Sequence, residues 1–353
     1  MSAIKVQNIS KSFDKHAVLH DITFAIDEGE YVTVLGPSGC GKTTLLKTIA
    51  GLYPPDSGRV FIQGNDVTHL DPEARNVGFF FQNYALFPHL TVRENVGYGL
   101  SIKGVGESKR NKIVYDNLKL IGLEAWMDHY PRELSGGMQQ RVALARALAT
   151  GSKIMLFDEP LSALDAKMAA ILRHELKILA HKLGLTVLHV TPNQDEAIEL
   201  SDRVVLLKDG KLVQCDSAVD SYAHPKTPFA AYFIGESNFL FVKRITLHTA
   251  RFDTTVLSVS REISEQKVVL AIRSEKIIFG EHERNTLKGV VSAINFLGKT
   301  TRFEIKYRGD VISVETSKHP EIAVGDVVPV YFPPDDLMIF NEKECQESGI
   351  PVI

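Results

Sequence analysis

Residues 31–43 read Tyr31-Val32-Thr33-Val34-Leu35-Gly36-Pro37-Ser38-Gly39-Cys40-Gly41-Lys42-Thr43. Tyr31 to Leu35 has the β-rich composition of a buried strand. Gly36 to Thr43 is a full G-x-x-x-x-G-K-[ST] pattern. Thr44-Leu45-Leu46-Lys47-Thr48-Ile49-Ala50 continues as a helix and stops at Gly51, a C-terminal signal. Strand, glycine-rich loop and helix in this order predict an α/β domain with a phosphate cradle. The glycines let backbone N–H groups point at a β-phosphate. Ser38, Gly39, Cys40 and Gly41 form the wrap, with Thr44 beside it. Lys42 reaches the β- and γ-phosphates as a point charge, and the Thr43 hydroxyl is placed to ligate Mg²⁺. Cys40 reads as a small loop filler, with a reactive thiol as the other option.

Two further stretches extend this chemistry. Lys153-Ile154-Met155-Leu156-Phe157-Asp158-Glu159-Pro160 is an apolar strand that ends in two acids. Asp158 is placed to hold the Mg²⁺ shell and Glu159 to polarise an attacking water, the two needs of in-line phosphoryl transfer. A solvated acidic turn is the plainer reading. Leu134-Ser135-Gly136-Gly137-Met138-Gln139-Gln140-Arg141 opens a segment in which Met138, Val142, Ala145 and Leu148 recur at helical spacing. A serine at a helix start with glycines after it suits an anion, because the first N–H groups are unpaired and the helix end is partly positive. An ordinary N-cap is the alternative.

Composition bounds the rest. The chain has 353 residues, enough for two domains, with 44% apolar and 24% charged residues, ordinary for a globular protein. A net charge of −3 lends no support to a nucleic-acid role. No apolar run reaches the roughly 18–20 residues of a membrane span, and the first residues lack a signal-peptide core. Cys40, Cys215 and Cys345 are far apart with no metal spacing, so the expectation is a reduced, cytoplasmic protein.

Together these motifs resemble the ATP-binding cassette (ABC) ATPases, and more narrowly the ATP-binding subunit of a bacterial or archaeal solute importer. The resemblance covers residues 1 to 235. It adds Gln82, in Val77-Gly78-Phe79-Phe80-Phe81-Gln82, as a metal and water contact, and Phe13, in Lys11-Ser12-Phe13, as the aromatic that stacks on adenine. A core strand residue is the plainer reading of Phe13. The Ser162-Ala163-Leu164-Asp165 loop also matches; Asp165 is counted with the nucleotide contacts, and Ser162 or Asp165 caps the next helix. The resemblance implies two cassettes dimerised head to tail on ATP and Mg²⁺, with Ser135, Gly136 and Gly137 of one facing the γ-phosphate on the other. It also implies integral-membrane permease subunits, received in a groove that Asn83-Tyr84-Ala85-Leu86-Phe87-Pro88-His89-Leu90 helps to form, and indirectly an extracytoplasmic solute-binding protein. Local core packing is the plainer reading of that run. The expected location is the cytoplasmic face of the membrane, as a peripheral subunit.

One departure stands out. The family usually has a histidine after a strand, in a Val-Thr-His-Asp-like run. Here the run is Leu188-His189-Val190-Thr191-Pro192-Asn193-Gln194-Asp195-Glu196, so Pro192 takes the histidine's place and Asn193 the aspartate's. Proline has no side-chain donor and no N–H. A positioned acid–base group contributes about 10²–10⁴ in rate. Asn193, whose amide can donate, is the candidate partial substitute; His189, three positions earlier, reads as part of the strand. Three readings stay open: slow hydrolysis with Glu159 and Asn193, pairing with a different cassette, or ATP binding without turnover. With Lys42, Gln82, Ser135, Asp158 and Glu159 kept, weakened hydrolysis is preferred.

After Gly235-Glu236-Ser237-Asn238-Phe239 the pattern changes to short alternating runs at 267–272, 287–291, 301–305 and 327–332. Turn signals at Arg308-Gly309-Asp310 and Val324-Gly325-Asp326 separate them. This predicts a small β-barrel. It resembles the accessory OB-like (TOBE) domain of importer ATPases, with Arg273-Ser274-Glu275 where Arg-Pro-Glu is usual. No basic, aromatic-studded strand face is visible, so dimerisation or regulation is the expected role, with no nucleic-acid partner. The expected architecture is therefore a P-loop α/β cassette over 1–235, with an inserted helical subdomain at about 90–150, and an all-β OB-like domain over 236–353. The expected function is ATP hydrolysis that drives an importer of the group handling polyamines, ferric iron, sugars or oxyanions. The other classes weighed are a regulatory ATP-binding subunit with little turnover and a non-transport ATPase acting on nucleic acid or ribosomes. The latter would carry tandem cassettes or a basic extension.

Overall fold

The computed structural model describes residues 2–162, 164–318 and 320–353. Ala163, within the expected Ser162–Asp165 loop, lies outside the described residues. Cα packing divides the chain into two compact units, Met1–Ser221 and Tyr222–Ile353. Among the described residues no helix is long and apolar enough to cross a membrane.

The strands of the first unit are β1 (Ser2–Phe13), β2 (His16–Asp27), β3 (Tyr31–Leu35), β4 (Ser57–Ile62), β5 (Asn65–Asp66), β6 (Gly78–Phe80), β7 (Ile154–Asp158), β8 (Thr186–Thr191), β9 (Arg203–Lys208) and β10 (Lys211–Ser217). Its helices are α1 (Lys42–Ala50), α2 (Val92–Ile102), α3 (Glu107–Leu120), α4 (Gly136–Ala149), α5 (Ala166–Leu183) and α6 (Gln194–Leu200). A six-stranded sheet runs β10-β9-β3-β8-β7-β6, parallel except for β10. An antiparallel sheet of four strands runs β2-β1-β4-β5.

Every residue of β3, β7 and β8 is buried. Strands covered on both faces read as near-continuous apolar runs, which is why 31–35 and 154–157 are legible as strands. Alternate side chains then serve two cores. Leu156 and Val190 pack with Leu45, Leu46 and Ile49 of α1 and with Ile4, Val6 and Ile22 of the antiparallel sheet. Met155, Phe157 and Val187 pack on the other face with Leu144 of α4 and Leu172 and Leu176 of α5. A third cluster joins α2, α3 and α4 through Val96, Leu118 and Val142. This is the helical insertion expected near 90–150.

The second unit holds two antiparallel sheets of five strands. The first runs through Thr255–Ser258, Thr249–Phe252, Ser237–Thr246, Lys267–Arg273 and Met338–Asn341. The second runs through Ile278–Phe279, Val327–Tyr331, Thr286–Phe296, Thr301–Tyr307 and Asp310–Thr316. Leu270, Ile272, Leu287, Phe303, Ile305 and Val330 point into one shared core, making the curled all-β domain that the alternation implies. The packing boundary falls earlier than the 235/236 expected from the motif pattern. The reason is Arg273, whose buried guanidinium donates to the carbonyls of Ala231 at 2.7 Å and Tyr222 at 2.8 Å and to Ser237 Oγ at 2.9 Å. Residues 222–235 are thereby tied to the β-domain although their pattern is helical.

Asn95, fully buried on α2, organises the segment after Gln82. Its Oδ1 accepts from Phe87 N at 2.8 Å, and its Nδ2 donates to the carbonyls of Phe87, Leu90 and Thr91 at 3.0–3.1 Å. From the other side Arg146 of α4 donates to the carbonyls of Tyr84 and Ala85, both at 2.7 Å. Within the run 83–90, Tyr84 is buried, whereas Phe87 is half-buried and packs on Tyr98 at 4.5 Å between ring centroids. Asn95→Ala strands one buried N–H and several carbonyls, and is expected to destabilise the first unit by about 2–4 kcal/mol. Urea unfolding of the variant checks this; an unchanged midpoint contradicts it.

Candidate active site

The phosphate loop follows β3 and ends at the start of α1. Gly41 is the N-cap of α1, at φ 103°. A Cβ there would lie 2.8 Å from Leu19 Cδ2 and 3.0 Å from the Val18 carbonyl oxygen. Glycine is required twice over at this position, for the left-handed backbone and for the close approach. The Lys42 ammonium is buried and folds back onto its own loop, donating to the Gly36 and Pro37 carbonyls at 2.8 Å each. Ser38, Gly39, Gly41, Lys42, Thr43 and Thr44, with Glu159 opposite, line a cleft of about 200 Å³. Cys40 faces away from it into the core beneath the loop, and burial pushes its thiol pKa up. That is the filler role, since a reactive thiol needs its pKa lowered.

The acidic strand end meets this loop. Thr43 Oγ1 donates to Asp158 Oδ1 at 2.8 Å. Gln82 Nε2 donates to Glu159 Oε2 at 3.0 Å. Burial pushes the Asp158 pKa up against the lowering effects of Thr43, Lys47 and Lys42, and burial also raises that of Glu159. Glu159 sits in the left-handed region at φ 45°. Such a residue costs on the order of 1–3 kcal/mol and persists only where its surroundings hold it. Here Glu159 N donates to the Val190 carbonyl at 3.0 Å, and the Glu159 carbonyl accepts from Ser162 Oγ at 2.9 Å. Among the described residues no group of three His, Cys, Asp or Glu side chains could hold a metal ion. The hydroxyl oxygen of Thr43 and the carboxylate oxygens of Asp158 are hard donors of the kind that suit Mg²⁺.

Pro192 stands at the end of β8 and is half-buried, directly before the exposed Asn193. Asn193 caps α6: its Oδ1 accepts from Glu196 N at 3.1 Å, and its own N–H donates to Thr191 Oγ1 at 3.0 Å. Thr191 Oγ1 in turn donates to Glu196 Oε2 at 2.7 Å. His189 is fully buried in β8 and shares a hydrogen bond of 3.1 Å with the Tyr31 hydroxyl through Nδ1. Burial pulls its pKa down to about 3, so the ring is neutral, and the 3.6 Å approach of Nε2 to Glu196 is no ion pair. His189 is a core histidine that does not line the phosphate cleft.

Phe13 lies at the end of β1, 38% exposed, so it is no core residue. It meets Tyr53 edge-on at 5.2 Å, with the Lys11 ammonium 5.3 Å from its ring. Sequence reasoning missed Tyr53, which follows α1 and carries no motif. Ser135 caps α4 and accepts from Met138 N at 3.4 Å; Gly136 and Gly137 form the first turn. These three do not line the cleft around Lys42. Asp165 caps α5, accepting from Lys167 N at 3.1 Å and Met168 N at 3.0 Å, while Ser162 bonds Glu159 instead. The fold thus brings Ser38, Gly39, Gly41, Lys42, Thr43, Thr44, Asp158, Glu159 and Gln82 together, turns Cys40 into the core, and leaves Ser135, Gly136, Gly137 and Asp165 outside the cleft.

The chain is similar to proteins of known family over most of its length. Residues 19–162 match the ABC transporter family, and residues 270–340 the TOBE domain. The sulfate/thiosulfate import ATP-binding protein CysA of Halalkalibacterium halodurans is 38% identical, over 97% of this chain and 99% of its own. The spermidine/putrescine import ATP-binding protein PotA of Aggregatibacter actinomycetemcomitans is 36% identical, over 97% of both chains. A solved ATP-binding cassette, a dimer in a post-hydrolysis state bound to ADP and Pi, superposes with a TM-score of 0.55 at 37% identity. It covers 61% of this chain and 98% of its own.

The buried His189 makes stability depend on pH. Its pKa is about 3 in the folded chain and about 6.5 when unfolded, so between these values the unfolded state binds the extra proton. Stability from this group is complete above pH 6.5 and is lost as the pH falls toward 3. The raised carboxylates Asp158, Glu159 and Glu196 act in the opposite sense. His189→Gln is therefore expected to flatten the acid-side fall of the thermal midpoint relative to wild type. Parallel midpoint–pH curves for the two proteins contradict the assignment.

Proposed function

The chain belongs to the ATP-binding proteins of the ABC transporter family, and on that premise we infer that it is the ATP-hydrolysing subunit of a solute importer. It works as a peripheral subunit on the cytoplasmic face of the membrane, beside separate permease subunits. The observation that carries the catalytic part is the pair of hydrogen bonds Thr43–Asp158 and Gln82–Glu159, which converge on the phosphate loop. The relatives named for sulfate/thiosulfate and for spermidine/putrescine import are almost equally similar, so import is what they share.

Each residue has a task. The N–H groups of Ser38 to Thr44 and the open end of α1 cradle the β-phosphate. Lys42 exchanges the Gly36 and Pro37 carbonyls for β- and γ-phosphate oxygens. Thr43, Asp158 and Gln82 would hold Mg²⁺, which supplies neutralisation of phosphate charge when bound. Glu159, poised by burial and oriented by Gln82, accepts the proton of the attacking water. Phe13, with Tyr53 beside it, offers the adenine a stacking face. The placement of Ser135, Gly136 and Gly137 outside the Lys42 cleft supports a site completed across two cassettes: they would meet the γ-phosphate held by Lys42 of the partner subunit. The loop pinned by Asn95 and Arg146, with Phe87 on its surface, is where a permease segment would dock.

Pro192 leaves the γ-phosphate without an imidazole, and Asn193 has its carbonyl oxygen committed to capping α6. Hydrolysis is therefore slow but present. Steady-state ATPase measurements on the purified chain test this. Wild type should turn over Mg²⁺·ATP, Glu159→Gln should lose about 10²-fold or more, and Pro192→His should gain about tenfold or more. Equal rates for wild type and Pro192→His would remove the weakened-hydrolysis reading. A wild-type rate no greater than that of Glu159→Gln would favour a regulatory subunit that binds ATP without turnover.

A further inference from the structure

A second cavity of the first unit lies away from the phosphate loop. It measures about 470 Å³ and opens between the C-terminal end of α3, α4 and α5. That size falls in the range of roughly 300–1,000 Å³ typical of small-molecule sites. Its floor is apolar: Phe80 and Phe157 from the parallel sheet, Leu144 from α4, and Leu172 and Leu176 from α5. The seam between the helical insertion and the sheet core is thus left unfilled on this side.

The polar groups of this cavity are few and their sign is uneven. Lys119, Arg141 and Lys182 stand against one carboxylate, Glu175. Arg141 and Glu175 pair at 3.1 Å and cancel, which leaves the charge of two lysines at the mouth. Deeper in, Gln140 is 4% exposed and its Oε1 has no hydrogen-bond partner. A buried amide oxygen left unpaired costs the folded chain free energy, which a ligand hydroxyl or a water that reached it would offset. The other end of the same amide, Nε2, donates to the Pro160 carbonyl at 2.8 Å, one residue past Glu159.

We propose that this cavity binds a small amphipathic anion: an apolar body, of the size of a medium alkyl chain, with one acidic head group held by Lys119 and Lys182. The apolar floor takes the chain, the lysines take the head, and a ligand there sits against the Gln140 amide that ties α4 to the acidic strand end. Binding itself does not depend on the ATPase reading; an effect on turnover through Gln140 and Pro160 does.

The test is isothermal titration of the nucleotide-free full chain with decanoate, decanol and decyltrimethylammonium. Decanoate is expected to bind at one saturable site, at least tenfold more tightly than the cationic probe. Ile178 lies on the wall and is 52% exposed, so Ile178→Glu keeps the core intact. It is expected to weaken decanoate at least tenfold. Lys119→Glu with Lys182→Glu should weaken decanoate to a similar extent and leave decanol unchanged. Equal binding of all three probes, no saturable site, or full decanoate binding in Ile178→Glu would each overturn the proposal. None of these outcomes bears on ATP hydrolysis, which is measured without decanoate.

Discussion

The parallel register of β3, β8 and β7 is the constraint on which the site depends. Leu35 lies beside Thr191, and Val190 beside Asp158. Three strands therefore end at one level, and the segments that follow them all begin at the same edge: the phosphate loop after β3, Glu159 after β7, and Pro192 with Asn193 after β8. The carboxyl ends of parallel strands are where α/β sheets bind ligands. A slip of two residues would carry one strand end about 7 Å away. Thr43 could then no longer reach Asp158, nor Glu159 N the Val190 carbonyl.

On that edge, the polar groups are paired before any ligand arrives. The Lys42 ammonium is satisfied by two carbonyls of its own loop, and Asp158 by Thr43. Glu159 is held in a left-handed backbone by bonds on both of its peptide groups, and its side chain meets Gln82. Buried charge is costly without partners, so this pairing lets the fold carry a charged site on a buried strand end. The same edge shows what the proline substitution does. Pro192 cannot donate, and Asn193 spends its Oδ1 and its backbone N–H on ordering the start of α6, so its side-chain N–H₂ is the donor left at that strand end.

What could be read from sequence was contiguous. The phosphate loop, the acidic strand end and the serine cap of α4 each show their chemistry within a few residues, because a loop between a strand and a helix is built locally. The buried strands announced themselves as apolar runs, and the β-domain as alternation such as Phe303 and Ile305 facing one core. The unread features are pairings across long separations. Tyr53 meets Phe13 from another element, Tyr31 meets His189 across 158 residues, and Arg146 brackets Tyr84 and Ala85 across about 60. The hold of Arg273 on residues 222–235 shifts the unit boundary for the same reason: a helical pattern does not say which core it will join. Asp165 and Asn193 could be read as caps from residue type, but whether a cap also serves a nucleotide is decided by what lies opposite it.

We propose that the phosphate loop and the acidic strand end form one Mg²⁺-assisted nucleotide site, joined through Thr43 and Asp158. Isothermal titration of ATP into the full chain, with and without Mg²⁺, tests it most directly when wild type is compared with Thr43→Val. Mg²⁺ is expected to tighten ATP binding at least tenfold in wild type and to have little effect in Thr43→Val. An equal Mg²⁺ dependence in the two proteins, or ATP binding by wild type that is indifferent to the ion, would contradict it.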